Sequence, residues 1–204
     1  MFLDVGANAG MSALSFRVFD RWRPIVSVEP NPSHRADLRF AQALARRMRF
    51  HILAAGAEEG TLTLYVPVYR GVALTTEASV HRESVAHSPS LRERLGERMD
   101  AREFSIEEHR VETLPLDALS LQAAFVKIDV QGAETEVVTG LRETISSFRP
   151  VMLIEAPTHE VYELLAGLGY RPFTYDRDAH RVRPQTESQV NTVFLHERDW
   201  PPGT

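Results

Sequence analysis

Short apolar runs alternate with amphipathic segments along most of this chain, and the first join in that series constrains the fold most tightly. The opening stretch MFLDVGANAGMS carries a strand-like run to an acid, Asp4, and then to Gly6 and Gly10 with three residues between them. A helical pattern follows at once. Glycine accepts a positive φ and lets backbone approach where a side chain would collide, and asparagine, here Asn8, tolerates such dihedrals better than most residues. The stretch therefore reads as a strand, a tight turn and a helix that bring backbone close to a ligand.

The alternation continues. MFLDV reads as a buried strand and MSALSFRVFDRW as a helix with Leu14 and Val18 on one face. RPIVSVEP is a second strand. NPSHRADLRFAQALARRM is a second helix, with Asn31 as cap, Pro32 in the first position, and Ala36, Phe40, Ala43, Leu44 and Met48 along one side. RFHILAA, AAFVKIDV and RPVMLIEA are further strands. The last two are joined by a helix over roughly residues 133–147, with Val137, Val138, Leu141 and Ile145 inward. A helix near HEVYELLAGLG and two closing strands, YRPFTY and NTVFLHE, finish the series. Strand and helix in alternation predict an α/β fold with a mainly parallel, doubly wound sheet that binds ligands at the carboxyl ends of its strands.

One region departs from this rhythm. GTLTLYVPVYR alternates with period two, as an added strand or hairpin does, and residues 71–108 are polar without a steady apolar stripe. Within them SPSLRERLGERM reads as an exposed helix capped by Ser88. The segment is either a solvated insertion or a lid over the site. Otherwise the 204 residues form a single domain over 1–204, long enough for a sizeable core.

Composition narrows the function. A net charge of −5 disfavours a nucleic-acid surface, which needs a basic face, so the arginines of residues 35–49 read as a helix's solvated side. The sequence has no cysteine, which rules out disulfides and thiolate metal sites and fits a reducing cytoplasm. No run reaches transmembrane length, and the expected setting is cytoplasmic, with neither membrane nor nucleic acid as partner.

Four carboxylates fall at strand ends: Asp4, Glu29, Asp129 and Glu155. In this architecture they converge on one crevice. An acid ending the second strand accepts hydrogen bonds from ribose hydroxyls in many nucleotide sites, so the glycine turn with Glu29 indicates a nucleoside-containing cofactor. GANAG is not the G-x-G-x-x-G of dinucleotide enzymes, which disfavours a nicotinamide oxidoreductase. An acid-rich crevice suits a cation, and S-adenosylmethionine carries both a sulfonium and an ammonium. Lys127 and Asp129 lie two apart on a strand and face one side, where Lys127 reads as a structural ion pair. Glu155 is either a wall of the site or the capping acid of the following helix. His159 falls in that helix's first turn, and His81, His87 and His109 read as solvated.

LDVGANAG, VEPNP, VKIDVQGAE and RPVMLIE, in this order, resemble the FkbM family of S-adenosylmethionine-dependent methyltransferases, over roughly residues 2–155 with weaker echoes in GYRPF and NTVFL. The resemblance implies a Rossmann-like fold of the class I methyltransferase type, with a reversed final strand, and methyl transfer to a hydroxyl of a small molecule or glycan. It also implies roles by position. Asp4, Gly6, Asn8 and Gly10 would shape the methionine and ribose side, Glu29 would hold the ribose, Ala54 and Ala55 would border the adenine, and Asp129 would sit at the reacting end as base or orienting group. Two departures stand out. The family pattern reads K-I-D-V-E-G where this chain has Gln131, which removes an acid beside Asp129 and leads us to expect no metal. Relatives also carry a helical stretch ahead of the first strand, so a shorter form or a site more open on that side is expected. A non-catalytic module that binds an adenosine ligand is the alternative from another class.

Overall fold

The computed structural model describes residues 1–89, 93, 96, 100–187 and 189–200. The helix expected over residues 88–99 lies largely outside them. Eight strands form the main sheet: β1 (Phe2–Val5), β2 (Ile25–Glu29), β3 (Met48–Ile52), β8 (Phe125–Ile128), β9 (Val151–Glu155), β10 (Tyr170–Asp176), β11 (Arg181–Pro184) and β12 (Asn191–His196). Their spatial order is β11-β10-β12-β9-β8-β1-β2-β3. Strands β9, β8, β1, β2 and β3 run parallel, and β12 enters antiparallel between β9 and β10. The expected mainly parallel sheet with a reversed final strand is present, and β11 is an addition that the sequence pattern did not suggest.

The central strands are near-continuous apolar runs because both of their faces are covered. On one face, Phe2, Ile25 and Met48 pack with Ala13 of α1 (Met11–Phe19) and with Leu38 and Ala41 of α2 (Arg35–Leu44). On the other, Leu3, Val5, Val28 and Ile128 meet the helices that follow β8 and β9. Chain order and sheet order reverse between β1 and β8, so a crevice opens at the carboxyl ends of the middle strands.

Both helices of the first face turn differently from the sequence reading. On α2 the buried residues are Leu38 and Ala41, while Phe40 and Leu44 are 66% and 57% exposed and Ala36 and Ala43 also face solvent. Close packing is the reason. A Cβ on Gly10 would lie 2.7 Å from the Ala41 Cβ, so the position of α2 that meets Gly10 must carry a small side chain. On α1 it is Ala13 that is buried; Leu14 is half-buried and Val18 is exposed.

The helix expected over residues 133–147 is two helices, α4 (Glu134–Gly140) and α5 (Arg142–Phe148). Its inward residues Val137, Val138, Leu141 and Ile145 are buried as expected. The break comes from a distant residue: the Asp117 carboxylate accepts the backbone N–H groups of Glu143 and Thr144 at 2.8 and 2.9 Å and so caps a second helix start. After β9, α6 (His159–Gly167) is capped by Thr158, whose hydroxyl accepts from the Val161 N–H.

A second sheet, β4-β7-β5-β6, is built from β4 (Ala54–Ala55), β5 (Gly60–Tyr69), β6 (Val72–Ala73) and β7 (Phe104–Leu114). GTLTLYVPVYR forms β5, turning through Arg70 and Gly71 into β6 and pairing along its length with β7. Residues 104–108, read from sequence as part of the polar segment, are therefore strand. Helix α3 (Arg82–Ala86) buries Val85, so this part of the 71–108 segment has an apolar anchor. Among the described residues no helix is long and apolar enough to cross a membrane.

Candidate functional site

Parallel neighbours in register present their side chains on one face, so one rung of the sheet places Ser27, Asp4 and Lys127 side by side on β2, β1 and β8. Asp4 has no solvent exposure. The Ser27 hydroxyl donates to its Oδ2 at 3.3 Å, and the Lys127 ammonium lies 3.6 Å from its Oδ1. Burial pushes the Asp4 carboxyl up to about 6, with Lys127 and Ser27 opposing. Lys127 also donates to the Gly6 carbonyl at 2.9 Å and lies 3.1 Å from Asp129 Oδ2. The lysine is therefore a structural ion pair and also the link between the buried acid, the turn and the rim. Asp4 sits beneath the turn and meets the crevice through Lys127.

The turn itself holds three left-handed residues, Gly6 at φ 75°, Asn8 at φ 48° and Gly10 at φ 84°. A Cβ on Gly6 would fall 1.7 Å from the Asp129 carbonyl oxygen, so the turn lies directly against the end of β8. Gly10 serves the packing of α1 on α2. Glu29 is 7% exposed, and each of its oxygens takes one backbone amide: Oε2 from Asn8 at 2.8 Å and Oε1 from Asn31 at 2.9 Å. Burial pushes its carboxyl up, and the two amides oppose that. Glu29 thus ties the first turn to the second, and each oxygen keeps a further lone pair for a hydroxyl.

At the rim, Ile128 and Ile154 are partners in register, which brings Asp129, just after β8, beside Glu155 at the end of β9. The two carboxyl groups are close enough for each to move the other's titration. Gln131 donates its amide to Asp129 Oδ1 at 3.2 Å. Burial alone would raise the Asp129 carboxyl, but Glu155, Lys127 and Gln131 hold it below the usual range. The neighbouring Asp129 carboxyl, followed by burial, pushes Glu155 up to about 7. Because Thr158 caps α6, Glu155 belongs to the crevice and not to the helix terminus.

The remaining sequence-derived residues separate. Ala54 is buried in the second sheet with Leu64, Val66 and Val111, while Ala55 keeps partial exposure. His109 and His159 pair with Glu107 and Glu163 on the outer surface. The fold therefore gathers Gly6, Asn8, Glu29, Asp129 and Glu155 around one crevice with Lys127 and Asp4 beneath; Gly10 packs against Ala41 of α2, and Ala54 against the core of the second sheet. The Gln131 contact was not foreseen; its only signal in the sequence is its place two residues after Asp129.

A family model described as the methyltransferase FkbM domain matches residues 4–172. Among solved structures, the chain is similar to the methyltransferase FkbM from Methylobacillus flagellatus KT, with a TM-score of 0.56 and 14% identity over 96% of this chain. The chain spans 43% of the length of that protein. A weaker likeness, with a TM-score of 0.45 and 13% identity, extends to the precorrin-6y C5,15-methyltransferase from Geobacter metallireducens GS-15, over 95% of this chain and 76% of that one. No curated protein matches the chain.

Proposed function

The chain belongs to the methyltransferase FkbM domain family, and on that premise we propose that it binds S-adenosylmethionine and methylates a hydroxyl of a small metabolite or glycan. The observation that carries this reading is the acid-lined crevice over a glycine turn, with Glu29 bonded to the turn and the Asp129–Glu155 pair at the rim. Its donors and acceptors fit the cofactor. Carboxylates suit an ammonium and a sulfonium, and the free lone pairs of Glu29 suit ribose hydroxyls.

In this reading Gly6 and Asn8 shape the methionine and ribose side with Gly10 supporting the turn from behind. Glu29 holds the ribose, and Ala55, backed by Ala54, borders the adenine. S-adenosylmethionine supplies an electrophilic methyl group when bound. The chain's own residues supply position: holding two reactants aligned can lower a barrier by about 7–11 kcal/mol in favourable intramolecular cases. Asp129, fixed by Lys127 and Gln131, orients the acceptor hydroxyl. With an amide at Gln131 where a third carboxylate would stand, we propose metal-free transfer. A net charge of −5 favours a small acceptor over nucleic acid, and the cysteine-free sequence suits a cytoplasmic setting.

The test is calorimetry with S-adenosylmethionine, S-adenosylhomocysteine and NAD. It is followed by mass spectrometry of hydroxylated acceptors incubated with methyl-labelled cofactor, with and without chelator. Binding of either sulfur ligand and label on oxygen are expected. Binding of NAD alone would overturn the cofactor, label on nitrogen or carbon would overturn O-methylation, and activity lost to chelator would overturn the metal-free reading. S-adenosylmethionine bound with no acceptor ever labelled would favour a non-catalytic module.

Glu29 gives a sharper prediction. Glu29→Ala removes a charged acceptor from two backbone amides as well as from the ribose, and should weaken S-adenosylmethionine binding by about 1.5–3 kcal/mol. Glu29→Gln, which keeps one oxygen acceptor, should lose less. Equal affinity of both variants and the wild type would remove Glu29 from the site.

A further inference from the structure

The structure around the rim assigns a second catalytic role there: we infer that Glu155 is the group that takes the acceptor's proton, while Asp129 is its charged anchor. The inference rests on the methyltransferase reading above and names the proton path within it.

The geometry divides the work between the two carboxyl groups. Each Asp129 oxygen already has a donor, Gln131 Nε2 at 3.2 Å on Oδ1 and Lys127 Nζ at 3.1 Å on Oδ2. Among the described residues no such donor meets Glu155, so a proton shared between the pair rests on Glu155 and points toward Asp129. Glu155 is also reachable. Leu153, two residues earlier on the same face of β9 and in register with Lys127, is 39% exposed, so the sheet face below the pair is open to an incoming molecule. Among the described residues, the charged groups acting on Glu155 are Lys127 of β8, Asp129 just after it and Glu134 of α4; Asn191, its partner on β12, is neutral. Two acids and one cation around it favour the protonated form, which places its titration near neutrality, where a general base works best.

The step balances. The deprotonated Glu155 carboxylate accepts the hydroxyl proton as the acceptor oxygen bonds to the methyl carbon of S-adenosylmethionine. The methyl–sulfur bond breaks and its electron pair stays on sulfur. The proton is then held between Glu155 and Asp129 until solvent removes it. Gln131 sets the balance: an acid in its place would put a third negative charge on the pair and hold the proton more tightly.

Two measurements test this, and the first needs no acceptor. Carbon-13 titration of the side-chain carboxyls should show, besides Asp4 at about 6, a group titrating at about 7. It should vanish in Glu155→Gln, fall toward the ordinary glutamate range in Asp129→Asn and rise in Gln131→Glu. The second uses methyl-labelled S-adenosylmethionine with a mixture of simple hydroxylated sugars. Glu155→Gln at saturating cofactor should lose about 100-fold or more in transfer and lose the neutral limb of the pH–rate profile. Asp129→Asn should move that limb to lower pH. A carboxyl at position 155 that titrates in the ordinary acid range, or full transfer by Glu155→Gln, would overturn the inference. Absence of S-adenosylmethionine binding in the wild type would instead overturn the methyltransferase reading, with the carboxyl titration still deciding where the proton rests.

Discussion

Replacing Gly6 by alanine is expected to lower stability by about 2–5 kcal/mol, summing a left-handed backbone with a side chain and overpacking against backbone. The added Cβ would fall 1.7 Å from the Asp129 carbonyl oxygen and 2.7 Å from its carbon, at a φ of 75°. Neither atom is the end of a flexible side chain, so relief requires the turn to lift from β8. Lifting it separates the Gly6 carbonyl from the Lys127 ammonium and carries away the Asn8 amide that Glu29 accepts. Cofactor affinity should therefore fall together with the urea midpoint. Gly71→Ala is the control, because a Cβ there meets nothing within 4 Å while its φ is also 75°; it should show only the backbone part of the loss. A Gly6→Ala protein with a wild-type midpoint would mean that the turn does not rest on β8.

Lys127→Met should cost about 3–5 kcal/mol, the range for removing one partner from a buried ion pair. Its effect should depend on pH in a defined direction. Burial raises the folded-state carboxyl of Asp4 from 3.8 to about 6. Between those values the folded chain holds a proton that the unfolded chain has released, so this group's contribution to stability falls as pH rises through the window. Removing the ammonium takes away a favourable partner of the charged form, raises the folded-state value further and extends the window upward. The gap between variant and wild type should be widest near pH 8 and narrow toward about pH 5, where Asp4 is protonated in both. Asp4→Asn in the Lys127→Met background should recover most of the loss, because the uncompensated charge is gone. Urea unfolding of the four proteins across that pH range forms the cycle. A gap independent of pH would show that Lys127 acts by packing alone.

Much of this molecule was legible in the order of its residues. Apolar runs of four or five residues separated by helical periods require a parallel sheet covered on both faces, since such runs cannot leave a face in water. Gly6 and Asn8 announce left-handed backbone, and all four strand-end acids lie at or beneath the crevice the alternation predicts. These features are local: a dihedral, a period and a position at a strand's end each depend on a few neighbouring residues.

What only the tertiary structure decided depends on residues far apart in the chain. The inward face of α2 is chosen by the space Gly10 leaves, so Leu38 and Ala41 go inside while the larger Phe40 remains out. The 133–147 helix breaks because Asp117, from a separate turn, reaches the amides of Glu143 and Thr144. Period alone cannot report either, since the apolar pattern allows more than one face and an uninterrupted helix. The chemistry at the rim follows the same division. Asp129 and Glu155 are individually visible as strand-end acids, yet their pairing needs the register of β8 against β9. The state of each carboxyl is then set by what surrounds it in space: Lys127 and Gln131 on one, and the other's own charge on its neighbour. A sequence specifies which charges exist; distance and burial, which only the packed sheet supplies, decide where the proton sits.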